Sequence, residues 1–186
     1  MGHQAAGGIP NQLLPGQPSH PLDKAALDLL AVIAFGENSE LYQRLVLKEQ
    51  KVDVLSPAFD DQPDPELFSV VARIKDRKDL DYVRDEIAAT FKRYTTELIP
   101  DSKLKDTRAH LRYGTALGWT SSGAIASFLA PYVALRRTPE TIDKLFSLYD
   151  RVTPEVVREL AARYFTENSR TIVTLATKSS AKEGAK

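Results

Sequence analysis

From Leu29 to Gly36 the chain reads Leu-Leu-Ala-Val-Ile-Ala-Phe-Gly, without one polar side chain. Ala26, Leu29, Leu30 and Ile33 recur at helical spacing, while Leu27, Val32 and Phe35 fill the other faces. A helix that is apolar around most of its circumference has to be surrounded, since any face left to water forfeits its burial. The remaining sequence must therefore wrap this helix. A chain of 186 residues can do so, because that length buries roughly 70% of its unfolded surface. Pro21 and Asp23 suit the first helical turn, and the pattern stops at Phe35-Gly36.

Beyond Gly36 the elements alternate in type. Asn38 and Ser39 can cap a second, amphipathic helix running from about Glu40 to Gln50. Its Leu41, Tyr42, Leu45 and Val46 are separated by Arg44, Lys48 and Glu49. "VDVLSPAF" reads as a weak strand, and its Pro57 points to an edge or a bulge. "LFSVVARI" is a stronger strand, with Phe68, Val70, Ala72 and Ile74 alternating against Leu67, Ser69, Val71 and Arg73. The loop between them, "DDQPDPE", is acidic and rich in proline. Asp79 is expected to cap a long helix on which Leu80, Val83, Ile87, Phe91, Tyr94 and Leu98 keep the helical period. "PDSKLKDTRAHLRYG" predicts a helix closing at Gly114, and "TSSGAIASFLAPYVALRR" one that restarts on a hydroxyl cap and bends at Pro131. Thr-Pro-Glu opens two further helices, at 138–140 and 153–155. "RTIVTLAT" alternates as a last strand.

Helices standing between strands that must pair at long range give an α+β class: an antiparallel or mixed sheet with helices on one face. Residues 1–14 are expected to be a flexible leader or an expression remnant, with at best a short strand at Gln12–Leu14. Residues 15–177 are expected to form one domain, and residues 178–186 a disordered polar tail.

Composition removes several function classes. Twenty-five basic and 25 acidic residues leave no net charge, so the chain lacks the basic field with which proteins displace counterions from nucleic acid. Arg136-Arg137 reads as solvated surface. With no cysteine there is no disulfide, zinc thiolate or thiol nucleophile. No apolar run approaches the ~20 residues that span a bilayer. "MGHQAAGG" has no cationic segment ahead of an apolar core, so it does not read as a signal peptide.

Candidate chemistry is sparse. His3, His20 and His110 are scattered, and no two stand at the i, i+4 spacing of a helical metal site. His20 reads as a residue leading into a helix and His110 as part of a solvated face. The carboxylate pairs Asp60/Asp61, Asp64/Glu66 and Asp79/Asp81 lie in loops or at helix starts, where acidic residues are ordinary. No G-x-S-x-G elbow and no phosphate-cradling glycine pattern is present.

Taken in order, "PSHPLDKAALDLLAVIAFGENSELYQRLVLKEQKVDVLSP", "PELFSVVARI", a long helix and "TPETIDKLFSLYDRVTPEVVRELAARYF" resemble one domain of the pitrilysin/insulinase family. These are the inverzincin metallopeptidases, related to mitochondrial processing peptidase and the cytochrome bc1 core proteins. The resemblance spans about residues 15–177 and implies a processing-peptidase-like α+β domain, built in tandem or as paired subunits. Catalytic domains of the family carry H-x-x-E-H on the first helix, binding zinc. Aligned on Phe35, those positions fall here on Asp28, Ala31 and Val32, which cannot do that work. Silent family domains hold substrate through an Arg and a Tyr, and the matching positions here are Val46 and Asp53.

The resemblance therefore implies a non-catalytic domain of a bacterial zinc protease. Such a domain has no catalytic residue, no metal and no cofactor of its own, with zinc held by a catalytic partner domain, fused or separate, and peptide enclosed between them. The alternative is a structural or assembly subunit of the core-protein type. A periplasmic or cytoplasmic site is implied, the periplasm favoured. A domain built against a partner half exposes contact surface when alone. Weak homodimerisation is expected through a sheet edge or helix face, with the first strand region (Ile9, Leu13, Leu14) as the suspected open edge.

Overall fold

The structure, a computed structural model, describes residues 3–8, 21–58, 68–136 and 141–175. Helix α1 (Pro21–Phe35) forms where the apolar run predicts it, and Ala25–Leu27, Leu29–Ala31 and Ile33–Phe35 are all buried. Next come a single α turn, α2 (Glu40–Tyr42), a π-helical segment (Gln43–Lys48) and strands β2 (Val52–Ala58) and β3 (Ser69–Ile74). Helices α3 (Leu80–Thr96), α4 (Asp101–Gly118), α5 (Ser122–Arg136), α6 (Thr141–Arg151) and α7 (Pro154–Tyr164) lead to a last strand, β4 (Thr171–Leu175). The class is α+β.

The sheet has four strands, and its order corrects the reading of the N-terminus. Residues His3–Gly8 are not a flexible leader. They form strand β1, and the strand order is β2-β3-β1-β4. β1 pairs antiparallel on both sides, with His3 opposite Ile74 and Gly8 opposite Thr171. "HQAAGG" carries no apolar alternation, so nothing local announces a strand; backbone bonding to two neighbours makes it one. The suspected open edge (Ile9, Leu13, Leu14), the strand expected at Gln12–Leu14 and the tail lie outside the described residues.

Every described pairing is antiparallel. β2 is an edge strand and is bulged, and both features fit Pro57. The bulge between Val52 and Val54 shifts the alternation by one, so Val52 and Leu55 both face inward although three residues apart. On β3, Val70, Ala72 and Ile74 are buried and Arg73 is exposed. The buried face joins one core with α1, α3 and α7. α1 touches α4, α6, α7 and β2, so it is surrounded as its composition demands. Its two carboxylates are used at the rim of this core. Tyr164 donates to Asp23 and Tyr149 to Asp28, each at 3.2 Å.

Three local expectations need correction. The second helix is not α-helical to Gln50: after α2 the backbone widens, so that Glu49 N–H donates to Arg44 at 2.8 Å and Lys51 N–H to Leu45 at 3.0 Å. The slack ends at Gln50, whose φ of 53° is left-handed, and delivers Val52 opposite Ile74. Asp79 stands at the α3 N-cap position, yet its carboxylate makes no cap bond and binds Lys51 instead. α4 passes Gly114 and runs to Gly118, since one glycine in an exposed helix costs only about 1 kcal/mol. Other starts agree with the sequence. Ser39 accepts from Tyr42 N–H at 3.1 Å, Ser121 from Ala124 N–H at 3.1 Å, and Thr153 from Val156 N–H at 3.4 Å. α5 runs through Pro131, and residues 138–140 lie outside the described set.

Gln50 supplies a test of this geometry. A left-handed φ costs a side chain with a Cβ more than it costs glycine, so Gln50→Gly is expected to stabilise the protein by about 0.5–1 kcal/mol. A urea melt reads it, and a loss of stability would show that the Gln50 side chain supplies something the backbone geometry does not.

Candidate functional site

The corner from α1 through β2 holds the five positions that the family resemblance singles out. Asp28, Ala31 and Val32 share the C-terminal half of α1. Asp28 accepts from the Tyr149 hydroxyl and lies 3.9 Å from the Lys24 ammonium; Ala31 is buried and Val32 partly so. Zinc needs several nitrogen, sulfur or carboxylate donors around one point. These positions offer one carboxylate, already engaged, and two hydrocarbon side chains. They do not fit the metal. Among the described residues no group of three or more His, Asp or Glu side chains could hold one either.

The three histidines are not brought together as a site. His110 is exposed on α4, His3 belongs to β1, and His20 is outside the described residues. Of the carboxylate pairs, Asp79 takes Lys51 at 2.5 Å and Asp81 takes Arg84 at 2.7 Å, while Asp60, Asp61, Asp64 and Glu66 are not described.

Val46 and Asp53 make no clamp. Val46 packs against the core. Asp53, at the bulge of β2, accepts from Arg73 Nε across the strand pair at 2.9 Å. The Arg73 guanidinium beside it holds the Asp53 carboxyl below its ordinary range. At this exposure such a pair positions side chains and adds little stability.

The structure adds a feature that element-by-element reading misses. The corner is laced to α3 by a run of contacts in reverse chain order. Glu40 pairs with Arg93 at 2.6 Å, Arg44 with Glu86, Glu49 accepts from Tyr82 at 3.0 Å, and Lys51 meets Asp79 at 2.5 Å. Arg93 draws the Glu40 carboxyl down, and the hydrogen bond to Asp79 raises Lys51. Burial, then the Glu49 carboxylate, raises the Tyr82 hydroxyl. The signal was present as complementary charge running forward on one segment and backward on the other. Glu40, Arg44 and Glu49 of the second helix thus fasten the corner to the domain.

No curated protein matches the chain in sequence. Among solved structures, a protease from Helicobacter pylori aligns with a TM-score of 0.79 at 19% identity, over 95% of this chain and 41% of that one. A structure described as the inactive peptidase domain of a zinc protease from Bordetella parapertussis aligns with a TM-score of 0.74 at 18% identity, over 95% of this chain and 93% of the other. A chain of complex III2 from Candida albicans gives a TM-score of 0.70 at 16% identity, over 93% of this chain and 42% of that one. At such identities the likeness is one of fold. The chain spans about two-fifths of the Helicobacter protein and nearly all of the Bordetella domain. The family model described as the peptidase M16 inactive domain matches residues 11–111, more than half of the sequence, and the chain belongs to that family.

Proposed function

We propose that this chain is the non-catalytic half of a zinc peptidase, packing against a domain that carries H-x-x-E-H and helping it to enclose peptide. One observation carries the reading. From Ser122 to Leu135, α5 contains no charged residue, yet none of its described side chains is buried. Ile125 and Val133 on α5, with Tyr113, Leu117 and Trp119 at the end of α4, are half of the large exposed apolar side chains among the described residues. An uncharged helix face left open to this extent is the signature of a lasting partner surface, because it offers apolar area without ion pairs to steer a transient one. The family membership, and the lack of a metal-binding set at Asp28, Ala31 and Val32, support a partner that supplies the zinc site.

Light scattering of this chain with and without the H-x-x-E-H domain from the same reading frame or operon tests the reading. A one-to-one complex is expected. Substituting both Ile125→Glu and Val133→Glu is expected to weaken it by about tenfold or more, with the melting temperature of the chain unchanged. Zinc measured after dialysis should partition with the catalytic half and leave this chain empty. One tightly held zinc on this chain, or no change in mass on adding the other domain, would overturn the reading. A second reading, a structural subunit without peptidase, is favoured by the fold shared with a chain of complex III2. It requires a partner that lacks H-x-x-E-H.

A further inference from the structure

Between α3 and the segment joining α7 to β4 lies a cleft of about 400 Å³. Ala88, Phe91 and Phe165 line its apolar part, with the two rings edge to face and their centroids 4.6 Å apart. Both rings pack against the core, yet neither is fully buried, so each keeps apolar surface open. Lys92 of α3 stands on the same lining, with Glu167 and Arg170 from the turn before β4. Elsewhere on α3 the charges are engaged: Arg84 with Asp81 and Asp85, Glu86 with Arg44, Arg93 with Glu40 and Glu97. Lys92, Glu167 and Arg170 make no ion pair among the described residues. Glu167 and Arg170 stand only three positions apart, but what joins them is the Arg170 backbone N–H donating to the Glu167 carbonyl at 3.4 Å. The cleft thus sets two cations and one carboxylate, none of them neutralised, beside an aromatic wall.

That pattern of charge narrows the ligand. A simple organic acid satisfies Lys92 and Arg170 but brings its carboxylate up to Glu167, and a phosphate ester does so with more charge. An amine satisfies Glu167 but meets two cations. Each of these leaves a like charge on the lining, which counts against it. An α-amino acid carries a carboxylate and an ammonium on one carbon, so all three protein groups find an opposite sign. The aromatic wall then sets the side chain, since a ring or a large aliphatic group gains most against Phe91 and Phe165. Ligand sites run from ~300 to ~1,000 Å³, so this cleft is at the small end and suits a single residue.

We propose that the cleft binds a free α-amino acid with an aromatic or large aliphatic side chain. The carboxylate accepts charge-assisted hydrogen bonds from Arg170 and Lys92, the ammonium donates to Glu167, and the side chain covers Phe91 and Phe165. The bound molecule bridges α3 to the segment before β4, so occupancy raises the melting temperature of the chain. The site uses neither zinc nor a catalytic half, and it stands or falls apart from the reading of the domain as half of a peptidase.

Isothermal titration calorimetry on the full chain of 186 residues tests it, with L-phenylalanine as the probe. Saturable one-to-one binding is expected, with L-phenylalaninamide and N-acetyl-L-phenylalanine each about tenfold weaker and glycine weaker still. Arg170→Gln with Lys92→Gln should remove the preference for the free acid over the amide. Glu167→Gln should remove the preference for the free amine over the acetylated form. All three side chains are exposed, so without ligand the substituted chains should melt where the parent does. The comparison of phenylalanine with its two blocked forms is made on the parent chain, so it decides the matter even where a variant does not fold. No saturation by about 10 mM phenylalanine would overturn the proposal. So would a blocked form that binds as tightly as the free amino acid, a preference that outlives its substitution in a folded variant, or glutamate binding tighter than phenylalanine.

Discussion

Leu30→Ala is expected to lower the unfolding free energy by about 2–5 kcal/mol, towards the upper end of that range. Leu30 is 1% exposed and sits midway along α1, which is touched by α4, α6, α7 and β2. Deleting the isobutyl group loses its transfer free energy and opens a hole. A helix held on four sides cannot settle into that hole, so the cavity term persists. Asp28→Asn, two residues away, provides the contrast. It keeps the shape and one acceptor for the Tyr149 hydroxyl, losing mainly the charge beside Lys24, so about 1 kcal/mol is expected. Urea midpoints of both variants decide the matter. A larger loss at Asp28 than at Leu30 would mean that the buried face of α1 has been assigned to the wrong side.

Gly36→Ala is the second large effect, expected at about 1–3 kcal/mol. A Cβ built there would lie 2.5 Å from the Val32 carbonyl oxygen and 3.2 Å from its carbon. Both are backbone atoms, and that same carbonyl accepts the Gly36 N–H at 3.0 Å. No side-chain rotation relieves the clash, so the last turn of α1 has to open. The Gly36 carbonyl also accepts from Ser39 N–H at 2.8 Å, and Ser39 caps α2, so the disturbance travels into the corner. Gly114 on α4 is the control. Nothing lies within 4 Å of a Cβ placed there, and alanine should stabilise that exposed helix by about 0.5–1 kcal/mol. A Gly36→Ala protein as stable as the parent would show that the end of α1 can relax at no cost, and the tight corner would lose its explanation.

Much of this architecture was legible because it is enforced locally. The faces of α1 and α3 come from side chains repeating at the helical period. The inward set of β3 comes from alternation, and the start of α7 from Thr153 and Pro154. At Ala31, Val32 and Val46 the lack of a ligand was equally legible, since a side chain without a donor atom cannot ligate a metal wherever the fold puts it.

Other features exist only through partners distant in the chain. β1 has no strand signal of its own and is held by residues 70–74 on one side and 171–175 on the other. The π-helical turn and the left-handed Gln50 arise because the corner must meet both β3 and the charges of α3, a demand that no window of ten residues contains. Asp79 gives up its cap for Lys51, 28 residues earlier, because a hydrogen-bonded ammonium satisfies a nearly buried carboxylate more strongly than a backbone N–H that water can reach. The cleft with Lys92 and Arg170 is likewise tertiary: its two walls come from segments about seventy residues apart, and only the packing of α3 on α7 brings them together. Local periodicity therefore determined which residues are buried and which positions lack ligands. Which strands pair and which charges meet is decided by long-range packing, because both depend on what the rest of the chain places beside them.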